Sequence, residues 1–115
     1  MLIWHKELWL IDHGACLYFH HSWNNWEQHA KSPFALIKDH VLLPQASLLK
    51  EVDAEFKALL TTEILEDIVN TIPLEWLQWE DTDETPEGLR NVYLQFLKTR
   101  LENSETFVNQ AQNAR

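Results

Sequence analysis

Leu2-Ile3-Trp4-His5-Lys6-Glu7-Leu8-Trp9-Leu10-Ile11-Asp12-His13-Gly14 is the stretch on which the fold turns. Two apolar runs, Leu2-Ile3-Trp4 and Leu8-Trp9-Leu10-Ile11, flank the polar break His5-Lys6-Glu7. Aromatic and β-branched residues suit the pleated surface of a strand. The pattern predicts an antiparallel hairpin, although the break holds neither Gly nor Asn. The near-continuous second run predicts burial on both faces. A lone hairpin is barely stable in water. It must therefore lean on the helices that follow or on another chain. Asp12-His13-Gly14 ends the second strand.

Working outward, Ala15-Cys16-Leu17-Tyr18-Phe19 is a small apolar stretch, followed by a polar, aromatic loop over residues 20–33. Residues 34–43 predict a short helix closed by Pro44. Ser47 is placed to cap a helix reaching about Leu60, with Leu48, Leu49, Val52, Phe56, Leu59 and Leu60 on one face. Thr61 or Thr62 caps the next, in which Ile64, Leu65, Ile68, Val69 and Ile72 recur at helical spacing. Pro73 stops it and opens a short turn containing Trp76. Thr85-Pro86-Glu87 is a clear start signal: cap, proline at the first position, carboxylate in the first turn. The last helix carries Leu89, Val92, Tyr93, Phe96, Leu97 and Leu101. It either runs on to Val108 or breaks near Asn103-Ser104, and the Gln- and Asn-rich tail beyond Val108 is predicted to fray. The fold class is mainly α (α+β): a short N-terminal β-hairpin, then a bundle of about four to five helices. One domain of 115 residues is expected, with the hairpin and turn over 1–14, an aromatic and histidine loop over 15–33 and a helical body over 34–110.

Composition narrows the class. Only two glycines, Gly14 and Gly88, argue against the many tight turns of an all-β sandwich. Six tryptophans, Trp4, Trp9, Trp23, Trp26, Trp76 and Trp79, supply large amphipathic area for a core or for a partner. Nine Lys and Arg against eighteen Asp and Glu leave a net charge of −9, which repels phosphate backbones and anionic lipid. Nucleic acid and membrane surfaces are excluded as partners on that ground. The five carboxylates between Glu80 and Glu87 read as a solvated loop. Cys16 has no disulfide partner within the chain, which fits a reducing compartment. No apolar run approaches the ~18 residues of a membrane span, and Met1-Leu2-Ile3-Trp4-His5 lacks a signal-peptide layout. The expected location is the cytoplasm.

Three features carry candidate chemistry. A carboxylate at a strand end, beside a glycine that frees the backbone, presents a magnesium ligand, because Mg²⁺ prefers one or two carboxylates together with phosphate oxygens and water. Asp12 has that placement, although the same tripeptide more often makes a plain turn. His13, His20, His21 and His29 lie within seventeen residues, but their spacing matches no zinc motif and reads as loop and interface histidines. Trp23 and Trp26 stand three apart, as do Trp76 and Trp79, and both pairs read first as core packing. Cys16 reads as a small buried hydrophobe, with no base identifiable beside it.

Trp9-Leu10-Ile11-Asp12-His13-Gly14-Ala15, followed by Leu17-Tyr18-Phe19-His20-His21 and Trp23, closely resembles the corresponding stretch of the HipA-like kinase family of bacteria. Leu2-Ile3-Trp4 and Ile37-Lys38-Asp39-His40-Val41-Leu42-Leu43-Pro44 also resemble that family, while the later helices resemble it in pattern. The resemblance implies that Asp12 is the magnesium-binding aspartate of an Asp-x-Gly motif. His13 and Gly14 complete a cofactor-binding turn that serves ATP in a complete kinase, and the helices after residue 33 belong to the C-terminal lobe. The family's nucleotide lobe, its phosphate-contacting lysine and its Asp-x-x-x-x-Asn catalytic loop cannot be placed in this sequence. Phosphoryl transfer depends on those parts acting as a unit.

The expectation is therefore a noncatalytic fragment of a HipA-like Ser/Thr kinase with a latent Mg²⁺ ligand and no catalytic residue of its own. The alternative is a small acidic helical module without enzymatic activity that binds a protein partner or a second copy of itself, as a homodimer.

Overall fold

A computed structural model describes residues 1–11, 13, 16–17, 19, 23–78 and 83–115, with Leu2 described by its backbone alone. Strands β1 (Leu2–Trp4) and β2 (Glu7–Trp9) pair antiparallel in the register Leu2↔Trp9, Ile3↔Leu8, Trp4↔Glu7. Their connection is two residues, His5 and Lys6, with φ of 51° and 67°. Positive φ at both positions gives the tight turn whose twist matches the flanking strands. Glu7 thus belongs to the second strand instead of the break, and pairing ends at Trp9 instead of Ile11. Burial of the second run on both faces is overturned, since Leu8, Trp9, Leu10 and Ile11 are all exposed. Among the described residues the sheet has only these two strands, so no third strand or second sheet covers them.

The expected loop over residues 20–33 contains a helix, α1 (Trp26–Lys31), with Ala30 fully buried. The helix expected over residues 34–43 is instead two 3₁₀ turns, Ala35–Asp39 and Leu43–Gln45. Pro44 lies inside the second turn, where its missing N–H costs nothing, and it disfavours α conformation at Leu43. Helix α2 (Leu49–Leu59) starts after Leu48, and no side chain caps it, so Ser47 does not act as predicted. Helix α3 (Thr62–Asn70) is capped by Thr61, whose Oγ1 accepts a hydrogen bond from the Ile64 N–H at 3.4 Å. Pro73 then precedes a 3₁₀ turn, Leu74–Leu77, that contains Trp76.

Helix α4 (Pro86–Glu102) begins as its start signal required, with Thr85 Oγ1 accepting from the Gly88 N–H at 3.0 Å. The chain breaks at Asn103-Ser104 and resumes as α5 (Glu105–Ala114). Fraying beyond Val108 is overturned, because Ala111 is buried one turn further on and anchors the tail. The protein is thus mainly helical, an N-terminal hairpin followed by five α-helices among the described residues.

Helix α4 is the axis of the core. Helices α1 and α3 pack on it, and Phe19, Ala30, Val69, Leu77, Leu89, Tyr93 and Phe96 form one buried cluster. Trp23 and Trp26 are half-buried against that cluster, as expected for core aromatics. Trp76, by contrast, is 73% exposed, because its 3₁₀ turn directs Leu77 inward instead. Helix α2 packs on α5 and buries no residue of its own. The radius of gyration, 16.0 Å, exceeds the about 13 Å of a compact chain this long. Much apolar surface therefore remains outside the core. No described helix is long and apolar enough to cross a membrane.

Candidate functional site

Strand β2 delivers the chain to the segment that the sequence singles out. Leu10 and Ile11 leave the sheet exposed. Asp12, Gly14 and Ala15 lie outside the described residues, as do Tyr18, His20, His21, Trp79, Glu80 and Asp81. His13 is exposed, with its Nε2 3.2 Å from the carbonyl oxygen of Leu10, one turn back along the chain. The Cys16 N–H donates to the His13 carbonyl at 3.0 Å. Cys16 is exposed, which corrects its reading as a buried hydrophobe: the next apolar residue, Leu17, takes the place against the core.

Phe19 anchors its segment to the helical body. It is fully buried, with its ring 5.7 Å from that of Tyr93 and 4.7 Å from that of Phe96, both on α4. Trp23 stands edge-on to Phe19 and to Tyr93, with centroids 5.4 and 5.2 Å apart. The Trp23 N–H donates to the Phe19 carbonyl at 2.7 Å, and Trp23 itself adopts φ 56°. A bulky residue in the left-handed region is strained by roughly 1–3 kcal/mol. The two edge-on contacts hold it there. Burial raises the pKa of the Tyr93 phenol above its ordinary value.

Among the described residues no group of three His, Cys, Asp or Glu side chains converges to hold a metal. The imidazole of His13 is directed back at the Leu10 carbonyl.

A second feature lies on the far side of the helical body. Phe34, Ile37, Val52, Phe56, Phe107 and Ala111 are among the residues lining an open groove of about 460 Å³ between α2 and α5. Its floor holds two polar links that sequence reasoning missed. Ser104, only 2% exposed, donates its hydroxyl to Asp53, which also pairs with Lys57 at 3.2 Å. Arg100 donates to the Ser32 carbonyl and to the Ala30 carbonyl at 3.4 Å, and its guanidinium lies 4.2 Å above the Phe107 ring. A serine at a helix break and an arginine in a last turn read as surface residues in sequence. Only tertiary packing, of α2 against the α4–α5 break for Ser104 and of α4 against the end of α1 for Arg100, reveals them as ties.

Comparison with protein-family models, with curated proteins and with solved structures finds no match to this chain.

Proposed function

We propose that this chain is a noncatalytic portion of a HipA-like kinase C-terminal lobe, with Asp12 as a latent Mg²⁺ ligand. The observation that carries this reading is the run from Trp9 to Trp23, delivered by a strand end and anchored behind by Phe19 on α4. A metal-binding aspartate of this kind is a carboxylate beside a glycine, in a segment whose flanks are held in place. The nucleotide-gripping lysine and the catalytic loop have no counterpart in these 115 residues. Without them a bound Mg²⁺ has no phosphates to bridge. Addition of ATP and Mg²⁺ should leave the melting temperature unchanged. A clear rise that disappears in Asp12→Ala would overturn the noncatalytic part. Lineage has its own test: an in-frame Asp-x-x-x-x-Asn coding stretch shortly before the Met1 codon supports the kinase parentage, and its absence sinks it.

A second reading, an interaction module, is favoured by the exposed apolar residues. The hairpin buries none of its described side chains, and the α2 face carrying Val52 and Phe56 is exposed as well. Contiguous apolar surface of this kind marks docking sites.

A further inference from the structure

We propose that α2 is a detachable strap: fastened by the hydrogen bond between Asp53 and Ser104, it opens as one unit while the core around α4 stays folded. The burial pattern is the first support. Leu43 and Leu65 are each 5% exposed, and no residue from Pro44 to Ile64 between them is buried. That run contains the whole of α2. Its apolar side chains recur at helical spacing, yet Leu48, Val52, Phe56 and Leu59 are all exposed. Most helical stability in a folded chain comes from packing an apolar face, and α2 leaves much of its own in the open.

The seam beneath α2 is correspondingly loose. Packed interiors hold few voids larger than a water molecule. Here the groove of about 460 Å³ separates α2 from α5. A second hollow of about 270 Å³, lined by Ala46, Ser47, Leu48, Leu49 and Val52, lies at the start of the helix. A side-chain hydrogen bond crosses the seam, from the Ser104 hydroxyl to Asp53. Lys57 pairs with Asp53 within α2 and adds nothing across it.

The rest of the fold does not depend on the strap. The buried cluster around α4 takes no residue from α2. Beyond α2 the backbone leaves helical geometry at Leu60 (ψ 71°) and Thr61 (ψ 165°), and Thr61 caps α3 with its own hydroxyl. Helix α3 therefore keeps its start when α2 lifts. On the other side Leu43 is buried in the second 3₁₀ turn. Helix α5 retains the first 3₁₀ turn as a neighbour and the Arg100 guanidinium over Phe107. Helix α2 has 11 residues, and an isolated helix shorter than ~12–15 residues is marginal in water. Lifting off and melting are thus one event. Opening bares Phe107 and Val108 on the groove wall together with the apolar side chains of α2.

Hydrogen exchange of the 115-residue chain, read amide by amide by NMR in rising sub-denaturing urea, tests this. Amides of residues 52–60 should share one opening free energy. They should exchange about a hundredfold faster than those of residues 89–96 in α4, with a smaller urea dependence, as a subglobal opening exposes less surface. Ser104→Ala should speed the α2 amides roughly tenfold, and the α4 amides alike, because both openings break the same bond. Val69→Ala loosens only the core. It should speed the α4 amides and leave those of α2 unchanged, since the core is intact in the open form. The proposal is overturned if α2 exchanges at the α4 rate with the α4 urea dependence, if Ser104→Ala leaves α2 unmoved, or if Val69→Ala speeds α2 as much as α4. The first of these is read on the unmodified chain, so a variant that fails to fold does not shield the proposal.

Discussion

The ring of Phe19 lies 4.7 Å, centroid to centroid, from that of Phe96 on α4. It is the point where the segment following Asp12 in sequence is fastened to the helical body. Phe19→Ala should cost about 3–5 kcal/mol, the usual loss for a fully buried phenylalanine. Urea denaturation followed by far-UV circular dichroism measures it. A loss below ~1 kcal/mol would show that Phe19 does not belong to this core.

Ser104 and Asp53 form the second fastening, between the α4–α5 break and α2. A hydroxyl donating to a carboxylate stabilises more than a neutral pair does, so Ser104→Ala should cost about 1–2 kcal/mol. Asp53→Ala removes the same bond and releases Lys57. The double variant should lose clearly less than the two single losses added together. Strict additivity in thermal denaturation would mean that the two side chains do not interact.

Two groups give stability a pH dependence at opposite ends. Glu63 titrates below its ordinary 4.5, because a backbone N–H at the start of α3 and then the Thr61 hydroxyl favour its charged form. A depressed carboxylate contributes stability above its unfolded pKa and loses it as pH falls through the lower folded value. Tyr93 titrates above its ordinary 10.0, because burial disfavours the phenolate. Its contribution is complete below 10.0 and is lost as pH rises from there through the higher folded value. Melting temperatures across the range should fall at both extremes. Glu63→Gln should flatten the acid limb and Tyr93→Phe the alkaline one. An alkaline limb unchanged by Tyr93→Phe would contradict the burial of the phenol.

Much of this architecture is legible in local chemistry. Apolar β-formers around a polar break give the hairpin, Thr61 and Thr85 cap the helices they precede, and Asn103-Ser104 interrupts the last helical run. What escapes local reading depends on tertiary partners. Helix α1 forms in a polar stretch because Ala30 is small enough to pack flush against α4. The tail after Val108 stays helical because Ala111 is buried. Ser47 has the chemistry of a cap, yet its backbone N–H is turned to the Gln45 carbonyl at 2.9 Å and the helix starts beyond it. At the candidate site the Asp12 turn is an expectation of the sequence, and its central residues lie outside the described ones. The burial of Phe19 is a property of packing, and so are the exposure of Cys16 and the inward Ser104. None of these has a signature in spacing.

The His5-Lys6 turn has a consequence for the strand pair it joins. Both residues occupy left-handed backbone that side chains with a Cβ resist by roughly 1–2 kcal/mol each, and the hairpin buries no described side chain to offset this. Exchanging His5-Lys6 for Asn-Gly, which accepts these angles freely, relieves that cost without altering one atom of either strand. An element that the core leaves unsupported is thus the one most open to reinforcement, and the remedy lies in two residues outside both strands.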